Sequence, residues 1–197
     1  MVDTYRTLAQ ETEVEIKIER SRFIGRARPV DSEQEAKDFI AARSELHRPA
    51  THNAWAYRVD PERDIRFASD AGEPTGTAGE PILRAILSLE LMDTAVVVTR
   101  YFGGKKLGIR GLIEAYGGTA TQALAAAGTV DKVITETFQL VLDYPELDQC
   151  LYLVRKSDGQ VVTADYQQQV TLRVAIPRSK TADFVGQVQN IAQLETG

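Results

Sequence analysis

Hydrophobic and polar residues alternate near the start of the chain. Val14, Ile16 and Ile18 occupy one parity of the segment VEIKIE and charged residues occupy the other, which predicts a half-buried strand. We predict that this strand continues through residues 20–30. A strand there would place four guanidinium groups on one face, those of Arg20, Arg22, Arg26 and Arg28. Such a face is typical of a solvated edge strand that resists aggregation, or of a track that binds phosphates.

Helix and strand patterns follow in alternation. Apolar residues at helical spacing predict a helix over residues 31–46. Thr77 lies three residues before Glu80, which is the spacing of a capping box, so we predict that a helix begins there. The run TAVVVTR, residues 94–100, is short, apolar and rich in β-branched residues. This composition predicts a central strand.

A pair of glycines interrupts the next predicted helix, over residues 112–128. Gly117 and Gly118 fall in the middle of its apolar pattern. Glycine inside a helix costs about 1 kcal/mol relative to alanine. The pair therefore predicts close packing of this helix against a sheet.

The pattern of elements restarts after residue 135. It predicts strand, helix, strand, strand and helix, with a short last strand, which is the order of a ferredoxin-like split βαβ unit. No segment rich in proline or serine separates the two halves. We therefore predict an α+β protein of two domains, residues 1–134 and residues 135–197.

Composition and charge restrict the classes of function. The 197 residues carry a formal net charge of −5 that is spread along the chain, which argues against a general attraction to polyanions. A nucleic-acid surface would therefore have to be a local patch. The single cysteine fits a reducing compartment. Because no apolar run approaches the roughly 20 residues that span a bilayer, we expect a cytoplasmic protein with no membrane partner.

The strongest chemical motif is TRYFGGKKLGIRG, residues 99–111. It joins an apolar strand to a helix through a glycine-rich turn, and backbone N–H groups in such a turn can bind an anion. The spacing matches neither a P-loop nor a dinucleotide-binding motif. The alternative is a tight turn with both aromatic rings in the core and the lysines in solvent. The residues predicted to contact nucleic acid or another anion are Arg100, Tyr101, Phe102, Gly103, Gly104, Lys105, Lys106, Gly108, Arg110, Asn53, Thr77 and Gly79.

Catalytic chemistry is the competing interpretation of the neighbouring segments. His52 could act as a general base oriented by Asp70, or could simply bond to loop backbone. Asp70 and Glu73 could do acid–base work, hold Mg²⁺ or neutralise Arg100. His47 and His52 would lie on opposite faces of a strand, so we expect no metal site and no cofactor.

Three segments taken together resemble one known family. They are SRFIG (21–25), HRPATHNAWAY with ASDAGEPTGTAG (47–79), and VVVTRYFGGKKLGIRGLIEAY (96–116). In this order they resemble the YigZ/IMPACT family. The resemblance implies an N-terminal domain like domain 2 of ribosomal protein S5. It also implies a ferredoxin-like C-terminal domain similar to domain V of elongation factor G.

The resemblance also carries expectations about function. Both of these related domains contact RNA or the ribosome, which implies a non-catalytic, RNA- or ribosome-associated protein with a role in translation regulation. Eukaryotic members of the family act in translational control by competing for the activator of a stress kinase, which implies a protein partner. The alternatives are an enzyme acting on a phosphorylated small molecule or nucleotide, and a protein–protein interaction module anchored by Tyr101 and Phe102.

Two positions depart from the pattern of the family. Ala54 stands where the family commonly has a cysteine, which lowers the prospect of thiol chemistry. Arg110 stands where the family often has a small residue. A positive charge at the start of a helix opposes the helix dipole unless an anion binds there, so Arg110 favours anion binding by the motif.

Overall fold

The computed structural model of this chain describes residues 4–196. They fall into two compact units, one formed by residues 5–132 and the other by residues 133–196 together with Thr4. Each unit combines helices with an antiparallel sheet. The predicted two-domain α+β class is therefore confirmed.

The first part of the chain builds a five-stranded sheet that is antiparallel throughout, in the order β2-β3-β6-β4-β5. A separate two-stranded sheet pairs β1 with β7. The elements are β1 (Thr4–Leu8), β2 (Thr12–Ile18), β3 (Ser21–Pro29), α1 (Glu33–Leu46), β4 (His52–Val59), β5 (Ile65–Ser69), α2 (Gly79–Ser88), β6 (Thr94–Tyr101), α3 (Gly108–Ala127) and β7 (Thr129–Val133).

Strand β6 is the central strand, as its composition predicts. Val96 and Val98 point to one face and pack in a core with α2 and α3. Ala95 and Val97 point to the other face and pack with α1. Because both faces of β6 are buried, its side chains are apolar on both sides of the sheet. This explains the continuous apolar run in the sequence. The carboxyl end of this strand leads directly into the glycine-rich motif.

The predicted continuous strand through residue 20 is wrong. Glu19 and Arg20 have φ values of 45° and 71° and form the turn of a two-residue hairpin between β2 and β3. Arg20 therefore lies at the tip of the hairpin. A type I′ turn requires positive φ at both central residues and usually carries Asn-Gly. The Glu-Arg pair gives no such signal in the sequence.

The remaining arginines of β3 face a row of carboxylates. Arg26 Nε lies 2.6 Å from Glu11, and its Nη1 lies 3.1 Å from Glu13. Arg28 pairs with Glu35 at 3.0 Å. These ion pairs neutralise the face, which argues against a phosphate track. The predicted edge position is wrong, because β3 pairs with β2 on one side and with β6 on the other.

The glycine pair of α3 does not pack against the sheet. A Cβ atom on Gly118 would meet nothing within 4 Å, and one on Gly117 would make an ordinary 3.5 Å contact with Pro81. The close approach is made instead by Gly25 in β3, where a Cβ would lie 2.8 Å from Thr119 Cγ2. The glycine that lets helix and sheet come together is therefore on the strand.

The second unit has the predicted ferredoxin-like order, including the short last strand. Its antiparallel sheet runs β11-β8-β10-β9 and packs against two helices. The elements are β8 (Thr135–Leu142), α4 (Leu147–Lys156), β9 (Gln160–Tyr166), β10 (Val170–Pro177), α5 (Thr181–Val188) and β11 (Gln193–Thr196).

Cys150 lies in α4 and is completely buried in the core of this unit. Burial raises the pKa of its thiol to about 11, so the thiolate is scarce at neutral pH. Within residues 4–196, the helices are too short or too polar to traverse a bilayer.

Candidate functional site

A cavity of about 430 Å³ opens where the carboxyl end of β6 meets the first turn of α3. Its walls are mainly apolar, and its charged or titratable lining comes from His52, Glu73, Arg100 and Lys106. We call this cavity the Arg100 pocket. A volume in this range, with a few converging polar groups, is typical of a site for a small ligand or a single residue of a polymer.

A buried ion pair forms the polar wall of the Arg100 pocket. Arg100 Nη1 donates to Glu73 Oε1 over 2.6 Å, and the two side chains are only 6% and 4% exposed. The hydroxyl of Tyr116 donates to the same carboxylate oxygen over 2.8 Å. Burial and the Glu73 charge raise the pKa of Tyr116, so its phenol remains a donor at neutral pH. The Glu73 carboxylate is thus held by two donors.

Arg100 is not fully satisfied by the protein. Its Nη2 has only a long contact, 3.5 Å, with Ser21 Oγ. Its Nε is buried and has no hydrogen-bond partner within residues 4–196. A buried donor without an acceptor costs about 1–3 kcal/mol and calls for an explanation. The ring of Phe102, 5.3 Å from the guanidinium and 46% exposed, lies beside it.

His52 lines the pocket next to Glu73. Its Nδ1 lies 2.9 Å from the carbonyl oxygen of Ala71, and since a carbonyl only accepts, Nδ1 carries a hydrogen. Its Nε2 lies 3.8 Å from Glu73 Oε2. The structure therefore brings His52 and Glu73 together in the pocket, as the catalytic alternative requires.

Asp70 binds backbone N–H groups and contacts neither His52 nor Arg100, the two partners considered for it from the sequence. Its Oδ1 accepts from the backbone N–H groups of Ala78 and Gly79, both over 2.9 Å, and its Oδ2 accepts from that of Gly76 over 2.8 Å. It therefore caps α2 and neither orients His52 nor fixes Arg100. Burial alone would raise the pKa of Asp70, but the three backbone donors outweigh it and lower the pKa below its ordinary value.

Replacing Asp70 by alanine is expected to lower the free energy of unfolding by about 1–2 kcal/mol at pH 7. Because the folded-state pKa of Asp70 is lowered, the stabilisation is fully present above the unfolded pKa of about 3.9. It is lost as the pH falls through the folded value. Urea unfolding of both proteins between pH 7 and pH 3 measures the difference, which should narrow below about pH 4. A difference that stays constant with pH would contradict the capping role.

The predicted capping box is also wrong. Helix α2 begins after Ala78, whose side chain makes no capping bond. The Thr77 hydroxyl donates instead to the carbonyl of Pro74, and the residue is 2% exposed. Gly79 uses its N–H for Asp70, and a Cβ there would lie 2.6 Å from the Ser69 backbone. Thr77 and Gly79 therefore shape the loop and offer nothing to a ligand.

Tyr101 and Asn53 lie on the opposite face of the sheet from the pocket, because side chains alternate along strands. The Tyr101 hydroxyl lies 3.0 Å from His47 Nδ1. Asn53 accepts from Thr99 Oγ1 over 2.7 Å and donates to the carbonyl of His47. Of the two predicted stacking rings, only that of Phe102 lines the Arg100 pocket.

The glycine-rich loop uses its glycines in two ways. Gly103 lets the loop touch the β2–β3 hairpin: its N–H donates to Ser21 Oγ, and a Cβ would lie 2.0 Å from the carbonyl oxygen of Arg20. The group that approaches Gly103 closely is therefore the backbone of the hairpin, where we predicted a ligand. Gly104 and Gly108 have φ values of 88° and 71°, which non-glycine residues seldom adopt.

The cations of the motif differ in their partners. Lys105 pairs with Glu19 at 2.6 Å, and Arg110 pairs with Glu114 at 2.9 Å. Lys106 is exposed and has no carboxylate partner in the part of the chain that the structure describes. Helix α3 begins after Leu107 without a side-chain cap. The uncompensated positive features are thus Lys106 and the first turn of α3.

Tyr116 is a member of the site that the sequence does not reveal. Its spacing places it on the apolar face of α3, where it packs edge-on against Phe23 at 5.3 Å. The one available signal is a hydroxyl on an otherwise apolar helix face, since a buried phenol needs a hydrogen-bond partner.

Comparison with known proteins gives consistent matches along the chain. Residues 19–124 match the Impact N-terminal domain, and residues 140–193 match a domain of unknown function (DUF1949). The chain is 38% identical to the IMPACT family member YvyE of Bacillus subtilis (strain 168) over 184 residues, 93% of this chain and 85% of that protein. It is 37% identical to the IMPACT family member YigZ of Escherichia coli (strain K12) over 180 residues, 90% and 88% of the two chains.

A solved structure supports the same fold along the whole chain. The crystal structure of a hypothetical protein superposes with a TM-score of 0.74 at 32% sequence identity, covering 100% of this chain and 98% of the other.

Proposed function

The chain belongs to the IMPACT family, and from that premise we propose that it acts in translation as a non-catalytic protein that binds RNA at the Arg100 pocket. The observation that carries the proposal is the presence of uncompensated positive features at one cavity in a chain of net charge −5. These features are Lys106 and the first turn of α3; Arg100 lies beside them, with its charge compensated by Glu73.

Each group offers a different kind of contact. The first turn of α3 presents free backbone N–H groups and the positive end of the helix dipole, because no side chain caps it. Lys106 adds an exposed ammonium group at the rim of the pocket. Arg100 adds a guanidinium in the wall of the pocket, held in place by Glu73. Together they suit the oxygens of a phosphate.

The apolar walls supply the second half of the recognition. Phe102 exposes part of its ring beside the guanidinium of Arg100, and Ile109 is 67% exposed. Stacking of a base on an aromatic ring contributes about 1–3 kcal/mol and tolerates any sequence. A nucleotide could therefore place its phosphate at the positive end and its base against these side chains.

A pair of neighbouring lysines gives a direct test. We expect Lys106→Ala to weaken binding of a short single-stranded RNA about threefold to tenfold, because it removes one phosphate contact. It should also reduce the slope of log affinity against log salt by about 0.7. Fluorescence anisotropy with a labelled oligonucleotide over a range of NaCl concentrations measures both quantities.

Lys105→Ala is the matched control for this experiment. Lys105 is also exposed but pairs with Glu19 and does not line the pocket, so its replacement should leave both the affinity and the slope nearly unchanged. Equal effects of the two replacements would argue against the Arg100 pocket as the contact. Absence of RNA binding by the unaltered protein would refute the proposal.

One observation favours a second function, an enzyme acting on a phosphorylated small molecule or nucleotide. His52 Nδ1 lies 2.9 Å from the carbonyl oxygen of Ala71, which orients the ring and leaves Nε2 next to Glu73, 3.8 Å from its Oε2. An oriented imidazole in a pocket is a suitable group for proton transfer. Under this hypothesis His52→Gln would abolish turnover of the substrate and retain its binding.

A further inference from the structure

We infer that the Arg100 pocket receives the phosphorylated end of an RNA strand, a terminal phosphomonoester, rather than an internal stretch of the strand. This inference rests on the proposed function and adds the part of the RNA that is recognised. It follows from three features: the size of the pocket, the ion pairs around it and the number of donors within it.

The pocket has room for one nucleotide. Its volume of about 430 Å³ lies toward the lower end of the range for small-ligand sites. An internal nucleotide must leave room for the strand to enter and to exit. A terminal nucleotide needs only one opening to the cavity.

The surroundings of the pocket offer few unpaired cations to a continuing strand within the described residues. The neighbouring cations of the motif are already paired, Lys105 with Glu19 and Arg110 with Glu114. The arginines of β3 point to the opposite face of the sheet, where Arg22 covers the ring of Tyr101, so they provide no path from the pocket. Affinity for an internal stretch accumulates from several phosphate contacts, and this surface provides few of them. Recognition must therefore be concentrated in the pocket.

The pocket offers more hydrogen-bond donors than the two free oxygens of a phosphodiester can use well. They are the ammonium of Lys106 and the uncapped N–H groups at the start of α3, beside the guanidinium of Arg100 in the pocket wall. A phosphomonoester carries about −1.5 to −2 charges at pH 7 and three strong acceptor oxygens. A backbone phosphodiester carries one charge and two such oxygens. The monoester thus gains more from the same set of donors.

The buried carboxylate does not cancel this attraction. Glu73 Oε1 accepts from both Arg100 and Tyr116, and its Oε2 faces His52 at 3.8 Å. Arg100 compensates the charge of Glu73 within the wall of the pocket. Lys106 and the helix terminus remain to attract the anion.

The experiment compares RNA strands that share one sequence and differ at their ends. Four forms are titrated into the full chain: a strand with a 5′-phosphate, one with a 3′-phosphate, one with hydroxyl groups at both ends, and a circular form. We expect one phosphorylated form to bind about tenfold or more tightly than the hydroxyl form, with the circular form weakest. Lys106→Ala should remove most of this preference and Lys105→Ala should retain it.

The outcomes separate the inference from the proposed function. Equal binding of the circular and phosphorylated forms would overturn the inference and leave RNA binding at the pocket intact. Failure of all four forms to bind would overturn both. A free nucleoside monophosphate is added as a competitor: displacement of the phosphorylated strand supports the pocket as its site. Binding of the mononucleotide without binding of any strand would assign the same chemistry to a small metabolite and overturn the inference.

Discussion

Replacing Glu73 by leucine is expected to lower the free energy of unfolding by about 3–5 kcal/mol, because it leaves the buried charge of Arg100 without its partner. The guanidinium is 6% exposed and donates to Glu73 over 2.6 Å, so it would lose most of the compensation of its charge. The hydroxyl of Tyr116 would lose the same acceptor. Urea unfolding at pH 7, followed by circular dichroism, measures the change.

Two further variants distinguish the loss of a charge pair from the loss of packing. Glu73→Gln keeps an acceptor oxygen for Arg100 and Tyr116, so it should be less destabilising than Glu73→Leu. The double variant Glu73→Leu with Arg100→Met removes both charges and should recover much of the stability. If the double variant were as unstable as the sum of its single variants, the ion pair would not be the cause.

Replacing Gly103 by alanine is expected to cost about 3 kcal/mol or more, since the added Cβ has no room. It would lie 2.0 Å from the carbonyl oxygen and 2.1 Å from the carbonyl carbon of Arg20. Both atoms are backbone, so no side-chain rotation relieves the clash. Either the glycine-rich loop or the β2–β3 hairpin must move, and the hydrogen bond from Gly103 to Ser21 Oγ would be disturbed.

Gly104 is the matched control for this substitution. It has a φ of 88° and nothing within 4 Å of an added Cβ, so Gly104→Ala tests backbone strain alone. We expect it to cost about 1–2 kcal/mol. Thermal unfolding of both variants compares the two effects. Equal losses would show that the loop moves away from the hairpin without difficulty.

The sequence predicts those elements whose pattern is set by local periodicity. The central strand β6 and the split βαβ order of the second unit both follow from runs of apolar residues between turn signals. The hairpin at Glu19 and Arg20 is missed because neither residue signals a turn with positive φ. The glycine pair in α3 suggests that the helix approaches the sheet closely at that pair, which is wrong. The close approach occurs at Gly25 in β3, and the sequence of α3 alone gives no information about that residue.

The site is only partly visible in the sequence for a similar reason. Asp70 and Glu73 look equivalent as carboxylates in one loop. The fold of that loop turns Asp70 to backbone N–H groups of α2 and Glu73 to Arg100. Nearly every residue has a backbone N–H group, so residue types do not indicate which carboxylate binds such groups. The different roles of Asp70 and Glu73 could therefore not be predicted from the sequence. The opposite orientations of Tyr101 and Phe102 likewise depend on where β6 ends.

The burial of the lone thiol of Cys150 has a practical consequence for work with this protein. A maleimide dye or a nitroxide spin label needs an accessible thiolate, which this side chain does not present at neutral pH. Cysteines introduced on the surface can therefore be labelled selectively in the natural background. Pairs of such probes would report distances within the molecule in solution without any change to its cores.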